Sequence, residues 1–165
     1  SGRGHQLELV SIDGKDWLAD VGFGLHSPCT PIPLELDKPI IEDGKTIRLT
    51  DGGHFGVMFQ ILENDDWKNL YSFDLEYVFP QDIAYGNYYA STHPDAIFTN
   101  SRVAIIPTVF GGITLMDRTL KIITNGREEV QILPDSPAYL DALRKYFSIE
   151  LDGSYDELKP MPSEE

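Results

Sequence analysis

The sequence predicts an α+β protein that is mainly β. Short runs of strand-forming residues recur along most of the chain, and acidic, glycine-containing turns separate them. Segments with clear helical signals are few and lie in the second half. The 165 residues, 41% of them hydrophobic, suit one domain, or a domain with a smaller appendage, around a real core.

The first predicted element is a β-hairpin that starts near His5. Asp13-Gly14 links two strand-forming runs, and a two-residue Asp-Gly link is a strong hairpin signal. If these two residues form the loop, the register makes His5 and Asp20 diagonal neighbours on one face. The same face carries three leucines, Leu7, Leu9 and Leu18.

This juxtaposition of His5 and Asp20 has a chemical interpretation. A carboxylate beside leucines is costly unless it is paired, and an imidazole N–H is a suitable partner. Such a pair forms the orienting half of a nucleophile–His–Asp triad. Surface pairs and satisfied core contacts use the same residue types, so the residue pattern alone leaves a catalytic role open.

The segments after the hairpin complete a predicted mainly-β unit over residues 1–79. Residues 24–39 contain four prolines, which predict a wrapping loop. Strand patterns then resume at residues 45–49, 54–62 and 67–73. Short strands at this spacing are typical of an antiparallel barrel or sandwich.

The second half of the chain predicts a connecting segment and a smaller α+β unit. A helix that begins at Pro80, followed by a loop, occupies residues 80–101. Four strand patterns and a helix opened by Ser136-Pro137 follow over residues 102–152. The polar, proline-bearing residues 153–165 are expected to form a loosely held tail.

Charge and cysteine content narrow the classes of function. The net charge is −14, which argues against nucleic acid or an anionic membrane as the main partner. The single cysteine excludes an intrachain disulfide and is compatible with a reducing cytoplasm, the expected location. Its spacing from the histidines does not match a zinc site, so no metal is expected.

Several motifs in this order carry a resemblance to a known family. They are HQLELV (residues 5–10), ADVGFG (19–24), PCTPIPL (28–34), LYSFDLEYVFP (70–80), YYASTHPDAIFT (88–99) and LMDR followed by TLKI (115–122). With these motifs the chain resembles the arylamine N-acetyltransferase family over nearly its whole length. The ADVGFG hexapeptide at a fixed distance after His5 is a fairly specific mark of that family.

The resemblance implies a fold and a set of site residues. The family has a helical domain, an antiparallel β-barrel and an α/β lid, and this chain is similar to the barrel and lid. His5 and Asp20 match the histidine and aspartate of the catalytic triad. Phe23 and Gly24 match the floor of the acceptor pocket. Three further residues resemble those of the loop that contacts coenzyme A, namely Phe98, Thr99 and Ser101.

The resemblance also implies a reaction. The family transfers acetyl from acetyl-CoA to arylamines or hydrazines by a ping-pong Cys-His-Asp mechanism. Its acetyl-accepting cysteine lies in the helical domain, so this chain is expected to be inactive alone, with Cys29 a poor substitute. Two alternatives stay open: a cysteine hydrolase or transglutaminase-like domain with the same triad, and a non-catalytic β-barrel binding module.

Overall fold

The computed structural model describes residues 4–42, 44–108 and 110–160. The chain divides into two compact units, Ser1–Pro80 and Gln81–Glu165. Both are rich in antiparallel β-structure with few helices, which confirms the mainly-β class.

The described residues of the first unit form two antiparallel sheets. The first sheet has the order β1-β2-β3, with β1 Glu8–Ile12, β2 Lys15–Ala19 and β3 Ile32–Pro33. The second has the order β4-β5-β6-β7, with β4 Ile40–Glu42, β5 Lys45–Asp51, β6 Val57–Glu63 and β7 Asp66–Phe73. Two 3-10 turns, Gly24–His26 and Gly53–Phe55, join these strands.

The predicted register of the first hairpin is confirmed. Ile12 pairs with Lys15 and Leu9 pairs with Leu18. The loop residues Asp13 and Gly14 have φ angles of 51° and 74°, as a two-residue type I′ turn requires. Leu9 and Leu18 therefore share one face as expected, although Leu9 is 45% exposed whereas Leu18 is buried.

Both sheets contribute to one core. Alternate residues of β5 and β6 point inward, as the twofold repeat of a strand dictates. The buried members are Leu18, Ile32, Ile47, Leu49, Phe59 and Ile61. The hairpin that carries Asp20 is therefore anchored through Leu18 to the second sheet.

The barrel expected for this unit is not confirmed, because the two sheets of the described residues do not join into a closed ladder. The last strand of the first sheet, β3, is only two residues long. It ends at Pro33, which has no N–H to donate to a further strand. The prolines of this segment thus limit pairing, although they do not exclude the short strand that the loop interpretation overlooked.

The second unit combines helices with a four-stranded antiparallel sheet. Its helices are α1 Pro80–Thr92, α2 Ile97–Asn100 and α3 Ala138–Phe147. Its sheet has the order β11-β10-β9-β8, with β8 Val103–Thr108, β9 Gly111–Met116, β10 Thr119–Thr124 and β11 Arg127–Ile132. Helix α1 begins at Pro80 as the sequence predicts. The core joins Leu115 and Leu120 of the sheet to Tyr139, Leu143 and Phe147 of α3.

The C-terminal tail differs from its predicted loose state over residues 154–159. A capping box between Ser154 and Glu157 starts a 3-10 turn, and Tyr155 and Leu158 pack against the core of the second unit. The Arg102 guanidinium donates to the carbonyl of Lys159. Apolar packing and this anchor order the segment, while residues 161–165 lie outside the described residues.

In the part of the chain that the structure describes, no helix is both long enough and apolar enough to cross a membrane.

Candidate active site

Asp20 lies at the centre of a hydrogen-bond network just after β2 ends. Its side chain is fully buried, while that of His5 is 25% exposed. Oδ1 lies 3.0 Å from His5 Nε2, 2.9 Å from the Gly22 N–H nitrogen and 3.5 Å from Ser27 Oγ. Oδ2 accepts a hydrogen bond of 2.7 Å from the Tyr71 hydroxyl. A buried carboxylate is thereby satisfied on both oxygens, which burial of a charge requires.

The network keeps Asp20 ionised. Burial alone would raise the pKa of Asp20, but hydrogen bonds from Tyr71, the Gly22 N–H and His5 outweigh burial and lower it below its ordinary value. Burial raises the pKa of Tyr71, and the Asp20 carboxylate raises it further. Tyr71 therefore remains a protonated donor.

The contact with Asp20 determines the tautomer of His5. An ionised carboxylate can only accept hydrogen bonds, so His5 Nε2 carries the proton that faces Asp20. In the neutral ring, Nδ1 then holds the lone pair. A partly exposed imidazole with one nitrogen on a buried carboxylate can take up a proton at the other nitrogen.

Aromatic rings surround this histidine. The ring centroids of Phe23 and Tyr71 lie 5.5 Å and 5.4 Å from that of His5. Phe23 and Tyr71 are 4.6 Å apart, and Tyr71 stacks on the buried Phe59 at 4.9 Å. The rings connect the site to the core and restrict the orientation of His5.

Gly22 is required beside His5 for steric reasons. A Cβ at this position would lie 2.9 Å from His5 Cε1 and 3.4 Å from Nδ1. The first distance is too short for any side chain, so a substitution would displace the imidazole. Gly22 thus provides space at the ring edge that carries the lone pair.

The sequence-predicted residues fall into two groups. His5, Asp20 and Phe23 come together as described, and Gly24 follows at the start of the 3-10 turn. The residues predicted to contact coenzyme A, Phe98, Thr99 and Ser101, lie on or beside α2 in the second unit. The Phe98 ring is 67% exposed, whereas the Thr99 hydroxyl is already bonded to the carbonyls of His93 and Ala96.

Sequence reasoning missed three residues of the network. Tyr71 lies on β7, 51 positions from Asp20, and only the tertiary fold brings it close. Ser27 lies in the proline-rich segment, where no periodicity identifies an inward side chain. Gly22 belongs to the ADVGFG motif and lies opposite His5 by the hairpin register, but its N–H bond to Asp20 was not predicted. Within the described residues, no group of three or more histidine, cysteine, aspartate or glutamate side chains could hold a metal ion.

Acid should destabilise the first unit through Asp20. Because the folded pKa lies below the ordinary value of 3.8, the contribution of Asp20 is complete above that value and is lost as pH falls toward the folded pKa. Tyr71→Phe removes a hydrogen bond that lowers the pKa of Asp20. The loss of stability should therefore begin at a higher pH in this variant. The substitution should also reduce the free energy of unfolding at neutral pH by about 1.5–3 kcal/mol.

Urea unfolding between about pH 7 and pH 2 measures both effects. Tyr85→Phe is the matched control, because the Tyr85 side chain is 73% exposed. Equal curves for the two variants would contradict the assigned role of Tyr71.

Comparison with known proteins identifies the family. A family model described as N-acetyltransferase matches residues 1–155. Arylamine N-acetyltransferase from Mycobacterium tuberculosis is 31% identical over 149 residues, 89% of this chain and 52% of that protein. This chain belongs to the arylamine N-acetyltransferase family. The family assignment made from the sequence motifs is thereby confirmed.

Other members agree in sequence and in fold. The Escherichia coli arylamine N-acetyltransferase is 28% identical over 152 residues, 91% of this chain and 54% of that protein. The solved M. tuberculosis enzyme superposes with a TM-score of 0.84 at 30% identity, covering 94% of this chain and 58% of that one. The Mycobacterium marinum enzyme, solved in complex with CoA, gives a TM-score of 0.80 at 31% identity, with 88% and 54% covered. The chain therefore spans about half the length of the relatives it matches.

Proposed function

We propose that this chain supplies the base and its orienting carboxylate to an arylamine N-acetyltransferase site. The reaction moves acetyl from acetyl-CoA to an arylamine or hydrazine. The observation that carries the proposal is the 3.0 Å contact between His5 Nε2 and a buried Asp20 carboxylate. Family membership supports this chemistry for the pair.

In the first half-reaction, His5 Nδ1 takes the proton of a cysteine thiol. The thiolate attacks the carbonyl carbon of acetyl-CoA, an S–C bond forms, and the bond to the CoA sulfur breaks. CoA leaves as a thiol with the proton from His5. The Asp20 carboxylate stabilises the intermediate imidazolium and prevents the ring from turning.

In the second half-reaction, the amine nitrogen attacks the acetyl carbon of the thioester. His5 Nδ1 accepts the proton that the amine loses and returns it to the departing cysteine sulfur. The Phe23 ring, next to His5, and the adjoining Gly24 form the proposed floor for the acceptor. An apolar ring there suits the flat face of an aromatic amine.

The proposed donor loop consists of Phe98, Thr99 and Ser101. The exposed Phe98 ring provides an apolar surface for the donor, and the M. marinum relative was solved in complex with CoA. We assign the nucleophilic thiol to residues outside these 165. Coverage of about half of the matched relatives supports that assignment.

Cys29 is a poor nucleophile in its present surroundings. It is exposed, and its N–H donates to Glu42 Oε2 at 3.1 Å. Activation of a thiol needs a neighbouring cation or a helix N-terminus, whereas Glu42 brings negative charge.

The chain alone should therefore give no turnover with acetyl-CoA and an aromatic amine or hydrazine. The assay follows release of the CoA thiol, with Cys29→Ser as the control variant. Substantial activity that disappears in Cys29→Ser would overturn the assignment of the thiol. A longer protein that joins this chain to a helical domain carrying the family's cysteine should be active. If that protein instead hydrolyses esters or amides and ignores acetyl-CoA, the acetyltransferase proposal fails in favour of a cysteine hydrolase.

A further inference from the structure

Ser27 links the backbone of Phe23 to the Asp20 carboxylate. Its hydroxyl oxygen accepts the Phe23 N–H at 2.7 Å and lies 3.5 Å from Asp20 Oδ1. Its own N–H donates to the Gly24 carbonyl at 3.3 Å, which closes the turn. Ser27 is one of the few buried polar residues of the described chain.

The donors and acceptors among Phe23, Ser27 and Asp20 can be assigned from their chemistry. A hydroxyl has one proton, and the oxygen of Ser27 already accepts from Phe23. Asp20 can only accept, so the Ser27 proton points toward Asp20 Oδ1. His5 Nε2 also contacts Oδ1. The turn that carries Phe23 and the base His5 are therefore both linked to the same oxygen of Asp20.

We infer that Ser27 is a positioning residue that holds the Phe23 ring against His5 and so tunes use of the acceptor amine. This inference rests on the proposed function for its kinetic consequence and on the geometry alone for the positioning. The ring of Phe23 contacts both His5 and Tyr71, with centroid distances of 5.5 Å and 4.6 Å. Its backbone N–H, at the start of the turn, is held by Ser27.

Loss of the Ser27 hydroxyl should affect the two half-reactions unequally. The bond from Ser27 to Asp20 is the longest in the network, and Asp20 keeps its shorter bonds to His5, Gly22 and Tyr71. The bond to Asp20 and the edge contact of the Tyr71 ring, which this substitution leaves in place, keep the base oriented. The Phe23 N–H, in contrast, loses its hydrogen-bond partner in a partly buried environment. The turn should therefore relax, and the Phe23 ring should move.

The first test measures positioning in the chain itself. Ser27→Ala should speed amide exchange at Phe23 and weaken the nuclear Overhauser effects between the Phe23 and His5 rings. Ser27→Thr, which keeps the hydroxyl, should preserve both signals. Ser11→Ala is the matched control, because Ser11 makes an exposed hydrogen bond to Asp16 on the same hairpin. Unchanged signals in Ser27→Ala would overturn the inference.

The second test measures kinetics in the longer protein described above. In Ser27→Ala, kcat/KM for the aromatic acceptor should fall about tenfold, while kcat/KM for acetyl-CoA should change less than about twofold. Equal losses for both substrates would refute the selective role of Ser27. If the wild-type longer protein transfers no acetyl, the proposed function fails, and the exchange and ring contacts of Phe23 still decide whether Ser27 positions it.

Discussion

Replacing Asp20 with Asn is expected to lower acetyl transfer by about 10³–10⁴-fold in the longer protein while the first unit stays folded. Asparagine has nearly the shape of aspartate, with one oxygen and one NH2 in place of two oxygens. The oxygen can still accept from His5 and Gly22 at the Oδ1 position. The NH2 then faces the Tyr71 hydroxyl, whose oxygen can accept.

What the substitution removes is the negative charge behind the imidazole. The imidazolium that forms in each half-reaction loses its stabilising partner, and a neutral amide holds the reactive tautomer less strictly. The rate should therefore fall much more than the stability. Both are measured on the same preparation, kcat/KM by CoA release and the free energy of unfolding by urea.

Asp16→Asn provides the control for this prediction. Asp16 is an exposed residue of the same hairpin and accepts a hydrogen bond from Ser11. The Asp16→Asn variant should transfer acetyl at the wild-type rate. If Asp20→Asn keeps more than about a tenth of the activity, the carboxylate is a structural partner of His5 and the proposed triad is wrong.

The hairpin was predictable because its determinants are local. Asp13 and Gly14 both take positive φ, which this residue pair favours, and the turn alone then determines the register. His5 and Asp20 lie just beyond the paired residues, so the same register brings them together. The residue types and the turn geometry were enough to predict the contact between His5 and Asp20. They were not enough to predict its role.

The partners of Asp20 outside the hairpin depend on features that the sequence pattern does not show. Tyr71 reaches Asp20 from β7, whose pairing with β6 shifts between Phe59 and Gln60. A β-bulge breaks the twofold alternation on which strand predictions rely. Ser27 lies after a 3-10 turn in a segment without periodicity, so its burial arises only from the tertiary fold.

The C-terminal segment carries a local helix-start signal in its sequence. Ser154 followed three residues later by Glu157 is the sequence form of a capping box, and both of its hydrogen bonds form. The polar composition and Pro160 nevertheless favoured a loose tail. Local capping and the apolar contacts of Tyr155 and Leu158 decided the outcome.

Gly22→Ala should separate activity from stability. The added methyl group would meet His5 Cε1 at 2.9 Å, so the imidazole must move away from the edge that bears Nδ1. The obstructing atom belongs to a side chain that can yield, so the cost comes mainly from the weakened His5–Asp20 hydrogen bond, and the free energy of unfolding should fall by no more than about 1–2 kcal/mol. The displaced ring no longer presents Nδ1 to the thiol, and acetyl transfer should fall about 10²-fold.

Gly14→Ala is the opposite case and serves as the control. A Cβ at Gly14 would meet no atom within 4 Å, but φ is +74°, a conformation that strains alanine. It should cost about 1–2 kcal/mol of stability and leave the catalytic constants unchanged. The two alanine variants thus test whether the site depends on space beside His5 or on the general stability of the hairpin.

If Gly22→Ala is fully active, the Nδ1 edge of His5 does not carry the transferred proton. If both variants lose activity in proportion to stability, the hairpin supports the fold and His5 has no separate chemical role.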